Sequence, residues 1–158
     1  MVTNQSQARK REAQEKLATG QITIAEAMGV SRKQLYAIAN RGYQLLSSGR
    51  LEEARQIYAG LVAADPFDSV FHCHLGAALW QLGDTEKAFE AFDASIRLNI
   101  ANVDALASRG ELYLLKGEVK KGIEDLRAAL VNDPQGTHPS SIRARALLLS
   151  LRQAANKK

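Results

Sequence analysis

Apolar and small residues follow one another along this chain at helical spacing, and the whole pattern then repeats in a block of 34 residues. Glycines recur at Gly42, Gly76 and Gly110, and again at Gly49, Gly83 and Gly117. Larger or small apolar residues keep the same step: Leu45, Leu79 and Tyr113; Ala54, Ala88 and Gly122; Tyr58, Phe92 and Leu126. The pairs Asp65-Pro66, Asn99-Ile100 and Asp133-Pro134 close the three blocks. Self-similarity at this length marks stacked helical hairpins, because one hairpin cannot bury its own apolar face.

Each retained position has a steric task. Gly49, Gly83 and Gly117 stand where a first helix must stop and the chain must turn. Pro66 and Pro134 end the second helix of their blocks, since proline lacks the donor and restrains the residue before it. Ile100 replaces that proline in the second block, whose exit is less firmly marked. The pattern predicts first helices at 33–48, 69–82 and 103–116, and second helices at 51–64, 85–98 and 119–131. A final helix is expected over 139–156. It opens at Pro139-Ser140-Ser141 and carries Ile142, Ala146, Leu149 and Leu151 as an apolar stripe over the third hairpin.

These are the positions of the tetratricopeptide pattern, so the expected fold is all-α. It is a tetratricopeptide-repeat solenoid of three helical hairpins, with an N-terminal helical segment and a C-terminal capping helix. The expected parts are 1–34, the repeats 35–68, 69–102 and 103–136, and a cap with a basic tail over 137–158. Such stacking lines an inner groove with positions 2, 5, 9 and 12 of each first helix. The first repeat contributes Tyr36, Ala39, Tyr43 and Leu46; the second Val70, Cys73, Ala77 and Trp80; the third Asp104, Ala107, Glu111 and Leu114. This lining is apolar and aromatic. It lacks the Lys, Arg and Asn with which related domains clamp an acidic C-terminal tail. An extended polypeptide with apolar anchors suits it better, held beside Tyr36, Tyr43 and Trp80.

Composition narrows the function further. With 158 residues, 46% hydrophobic and 24% charged, the chain has the make-up of a folded globular protein. No apolar run is long enough to cross a bilayer, and the first residues are polar and mixed in charge, so the expected compartment is the cytoplasm. The single cysteine, Cys73, has no internal disulfide partner. Charge is uneven: the net values for residues 1–20, 21–133 and 134–158 are +2, −3 and +5. Basicity therefore sits at the ends and not on the repeats, which argues against a nucleic-acid surface there.

Residues 24–36 nevertheless read like a helix-turn-helix: Ile24-Ala25-Glu26-Ala27, a turn at Gly29, then a Ser31-capped helix with Arg32 and Lys33. The alternative functions are a general tetratricopeptide scaffold and a DNA-binding regulator using residues 24–40. Its second helix would run straight into the first repeat, leaving Tyr36 and Ile38 claimed by both packings. His72, Cys73 and His74 are consecutive, and on a helix they diverge by about 100° each, so they cannot share one metal ion. No metal, cofactor or catalytic constellation is expected.

Over residues 17–104 the chain resembles the class II chaperones of type III secretion systems, which escort hydrophobic translocator proteins. The matching stretches are Thr19-Gly20, Thr23-Ile24-Ala25, Gly42-Tyr43, Gly49-Arg50-Leu51-Glu52-Glu53-Ala54, Asp65-Pro66-Phe67-Asp68 and Leu75-Gly76-Ala77. The layout also matches, with an N-terminal helix and short linker ahead of three repeats and a last helix. The resemblance implies a groove holding a translocator segment through Tyr36, Tyr43, Leu46 and Trp80, and a homodimer involving residues 6–18. Those chaperones are commonly acidic, whereas this chain has a pI near 9.3.

Overall fold

The computed structural model describes residues 2–156; Met1, and Lys157 and Lys158 of the expected basic tail, lie outside them. Among the described residues every regular element is a helix. By compactness the chain divides into two units, one up to Phe67 and one from Asp68, so the division falls between the first repeat and the second.

In the first unit, α1 (Val2–Ala18) and the single turn α2 (Ile24–Ala27) precede the hairpin of α3 (Arg32–Ser47) and α4 (Leu51–Ala64). The side chains of α1 from Ser6 onward are exposed except for half-buried Ala13, and α1 touches α2 alone among these elements. Both α2 and α3 begin with reciprocal caps. Thr23 Oγ1 accepts from the Glu26 amide at 3.1 Å while Glu26 Oε2 accepts from the Thr23 amide at 2.7 Å. Ser31 and Gln34 do the same for α3. Between them Gly29 sits at φ +71°, so the short helix, turn and capped helix read from the sequence all form. The buried face of α3, Leu35, Ala39, Gly42 and Leu45, belongs to the repeat. Tyr58 of α4 is buried and its hydroxyl donates to the Ala39 carbonyl at 2.9 Å.

The second unit contains two hairpins and the cap: α5 (Ser69–Gln81) with α6 (Thr85–Leu98), α7 (Val103–Leu115) with α8 (Val119–Val131), then α9 (Pro139–Ala155). Every repeat helix agrees with its expected span to within one residue at either end. The turns explain this fidelity. Gly49, Gly83 and Gly117 have φ of +78°, +86° and +78°, and each closes its helix with paired backbone bonds. In the second hairpin the Gly83 amide reaches the Trp80 carbonyl at 2.9 Å and the Asp84 amide reaches Leu79 at 3.0 Å. The interior glycines serve close approach. A Cβ on Gly76 would lie 2.8 Å from the Phe92 ring, which is fully buried.

The exit of the second repeat is firmer than its sequence suggests. Ile100 is 78% exposed, but Asn99 Oδ1 accepts from the Ala101 amide at 3.0 Å and Asn102 caps α7 through the Ala105 amide at 3.0 Å. The Asn102 amide group also donates to the Ser69 and Ser95 hydroxyls at 2.9 and 3.1 Å, tying three helices with asparagine chemistry where proline is missing.

The cap forms, but on a different face. Ile142 is 56% exposed, Leu149 is 53% exposed and Ala146 is also exposed. The docked face is Ser140, Ser141, Ala144, Leu147 and Leu148, against α7 and α8. Small residues at the start of α9 let its backbone come close, and the leucines that pack, Leu147 and Leu148, directly precede the expected Leu149.

Candidate peptide-binding site

The inner positions of the first hairpin are mixed in accessibility. Tyr43 is 57% exposed, Tyr36 and Leu46 are half-buried, and the Arg32 guanidinium lies 5.5 Å from the Tyr36 ring centroid. Ala39 is buried and forms no exposed lining.

In the second unit the same positions build a pocket of about 370 Å³, lined by Ala77, Trp80 and Gln81 of α5, Ser108 and Glu111 of α7, and Arg143 of α9. Trp80 is placed from two directions. Its carbonyl is fixed by the turn at Gly83, and its ring meets buried Phe92 edge-on with centroids 6.3 Å apart. The indole therefore belongs to the core along one edge and to the pocket on another. Cys73 and Ala107 are buried, a correction to their assignment as exposed lining. α5 packs against α7 as well as α6, and a first helix sandwiched in this way loses its central inner position to the seam. Burial, and then the nearby Asp104 carboxylate, push the Cys73 thiol far above its ordinary value, so it stays protonated and unreactive. Its neighbour His74 turns its Nδ1 to the Val70 carbonyl of its own helix at 2.9 Å. Val70 is half-buried, and Leu114 leans on α8, where a Cβ on Gly122 would meet its Cδ2 at 2.7 Å.

Three lining residues lay outside the sequence reading. Gln81 and Ser108 each directly follow an inner position, and helix rotation brings them into the wall. Arg143 comes from the cap, and its Nε donates to Glu111 Oε1 across 32 residues of sequence. No local pattern connects those two. At the start of α9 the Ser140 hydroxyl donates to Asp104 Oδ1 at 2.5 Å, and Nε2 of the capping residue His138 lies 3.6 Å from Asp104 Oδ2. The inner face of the second unit is thus apolar on α5, acidic on α7 and closed by polar side chains of α9.

Two family models match the chain. The tetratricopeptide repeat covers residues 73–137 and the bacterial transcriptional activator domain covers residues 9–99. They overlap on the second hairpin. Several curated relatives are much longer proteins that share the repeats alone. BBSome complex member bbs-4 of Caenorhabditis elegans is 34% identical over 67 residues, which is 42% of this chain but 14% of that protein. For two other such relatives the chain spans only 8% and 11% of their length. The low calcium response locus protein H of Yersinia pestis differs: 28% identity runs over 145 residues, 89% of this chain and 84% of that protein. Among solved structures, a type III secretion complex from Aeromonas hydrophila superposes with a TM-score of 0.77 at 20% identity, covering 93% of this chain and 99% of that one. The Yersinia enterocolitica secretion chaperone SycD, in complex with a peptide of the translocator YopD, gives 0.68 at 22% identity, covering 80% and 98%. The chain is a tetratricopeptide-repeat protein that belongs, through residues 9–99, to the family of the bacterial transcriptional activator domain, and along most of its length it is similar to type III secretion chaperones.

Proposed function

We propose that this protein is a non-enzymatic chaperone of the type III secretion translocator class, working in the cytoplasm and holding an extended apolar segment of its client. One observation carries the reading. The similarity to the Yersinia low calcium response protein spans 89% of the chain, so it extends well beyond the three repeats. Repeat matches alone would stop at the hairpins, as those to the long relatives do. SycD with its YopD peptide, and PcrH with the chaperone-binding regions of PopB and PopD, support a peptide as the occupant.

Each unit would offer its own lining to a client: Tyr36, Tyr43 and Leu46 in the first, and Val70, Ala77, Trp80 and Leu114 in the second. Ala39 and Cys73 would support the lining from beneath. Its action is occupancy: an apolar stretch bound here is withheld from aggregation. Exposed α1 suits a homodimer contact through residues 6–18, and SycD has been solved in an alternative dimer. The test is co-purification of the client with the intact protein and with Tyr43→Glu and Trp80→Glu variants whose circular dichroism is unchanged. Both should lose it; full retention by folded variants would overturn the assignment.

The match to a transcriptional activator domain favours a second reading, a regulator that uses residues 24–40 on DNA. Salt-dependent binding to a duplex, abolished by Arg32→Ala with Lys33→Ala, would support it.

A further inference from the structure

The pocket beside Trp80 contains one carboxylate, Glu111, and one cation, and that cation is supplied by the protein's own last helix. The two partners are unequally enclosed. The Glu111 side chain is 19% exposed, while that of Arg143 is 48% exposed. Their hydrogen bond runs from Nε alone to Oε1, without the two-donor fork of a full guanidinium–carboxylate pair. Asp104, two turns back on the same helix, adds a second acid to this edge of α7, held by the Ser140 hydroxyl. This edge of α7 is therefore acidic, with an indole beside it and a half-exposed arginine bonded through one donor.

We propose that Arg143 is an internal stand-in for a basic side chain of the client, and that the pocket selects lysine or arginine within the extended segment. This deepens the chaperone reading and rests on it. Charge and burial decide the direction of selection. When a guest cation replaces Arg143, the enclosed Glu111 stays paired throughout and the freed guanidinium moves to water, where it is already half-exposed. The guest is also brought beside the indole of Trp80, a ring system that attracts cations. A guest carboxylate could take only the Nη donors that Arg143 leaves open, and would set a second negative charge beside the enclosed Glu111. A neutral apolar guest gains neither contact. The order of preference is then basic, neutral, acidic.

Trp80 is the chain's one tryptophan, so its emission reports on this pocket without labelling. The probes are the acetylated, amidated octapeptide Ala-Leu-Ala-Val-Arg-Leu-Ala-Val and its counterparts with norleucine or glutamate in place of arginine, titrated into the intact protein. The arginine peptide should bind about tenfold tighter than the norleucine peptide, between the sizes of an exposed and a desolvated cation–π contact, and the glutamate peptide weakest. Arg143→Ala should tighten the arginine peptide several-fold, an effect opposite in sign to ordinary loss of a lining side chain. Glu111→Gln should erase the preference, so that the arginine and norleucine peptides bind alike.

A second arm removes the peptide altogether: n-butylguanidinium against n-butanol, followed by the indole Nε1–H resonance of Trp80 in wild type and Glu111→Gln. Saturable shifts with the guanidinium, lost in the variant, support the pocket's selectivity even if no octapeptide binds, in which case the chaperone reading fails by itself. Equal binding of all three peptides leaves the chaperone reading standing and overturns the stand-in role. Weaker or unchanged arginine-peptide binding by Arg143→Ala overturns it as well, as does silence in both arms.

Discussion

Arg109 and Glu111 stand two residues apart on α7 and therefore face different ways, each in an ion pair of different construction. Arg109 forks onto Asp125 of α8, Nε to Oδ2 at 2.7 Å and Nη2 to Oδ1 at 2.9 Å, while its Nη1 reaches Asp93 of α6 at 2.8 Å. Its side chain is 16% exposed and that of Asp125 12%. The bond to Asp125 is the main cause that raises its already high affinity for the proton. On the pocket side, Glu111 meets Arg143 through one donor, and Arg143 is half in water. The first pair joins three helices of two hairpins and has nowhere to go. The second joins the last repeat to its cap through an arginine that can turn to water when another cation takes its place. One pair specifies how the hairpins stack; the other is free to take part in recognition.

Removing Asp125 should separate the two most clearly. Asp125→Ala leaves an enclosed guanidinium half-paired and should cost about 3 kcal/mol, read as a lowered urea midpoint, against under about 1 kcal/mol for Arg143→Ala. Equal losses would dissolve the distinction. Gly110→Ala presses on the structural side of α7, since its Cβ would lie 3.0 Å from Leu126 Cγ and 3.1 Å from the Gly122 carbonyl oxygen. It should cost about 1–2 kcal/mol by the same measurement, because one of the two contacts is backbone and cannot yield. Glu111→Gln should lower stability by only about 0.5 kcal/mol while altering what the pocket accepts.

The smallest effect concerns pH at the start of the cap. The Asp133 carboxylate accepts from the His138 amide at 2.9 Å, and this bond is the first cause holding its carboxyl below the ordinary range. A depressed native value means the contribution is present above the unfolded-state value and is lost as pH falls through the native one. Asp133→Asn should therefore flatten the acid limb of thermal stability below about pH 4, with its small loss falling at neutral pH, where the carboxylate contributes.

The repeat was legible because each of its positions answers a local demand. A left-handed turn needs Gly83, close approach needs Gly76, and the space opposite needs Phe92, so residue type and place coincide. The pocket was legible only in part. Trp80, Ala77 and Glu111 follow from the inner-position rule, but their use depends on α9, whose docking face is chosen by contacts with α7 and α8. Ile142 and Leu149 looked like the anchors because leucine and isoleucine usually are. Ser140, Ser141 and Ala144 took that place because small side chains allow close packing of two backbones. A pair such as Glu111 with Arg143, made between distant segments, has no periodicity to announce it.

Cys73 gives the second unit a chemical stopwatch. The chain's one thiol lies in the seam between α5 and α7, 5% exposed and held in its protonated form. A thiol-directed reagent can meet it only while those helices are apart, so the labelling rate counts openings of the unit and not collisions with its surface. An occupant that bridges α5 and α7 would slow that count in proportion to its grip, and the protein would time its own binding without a dye or a tag.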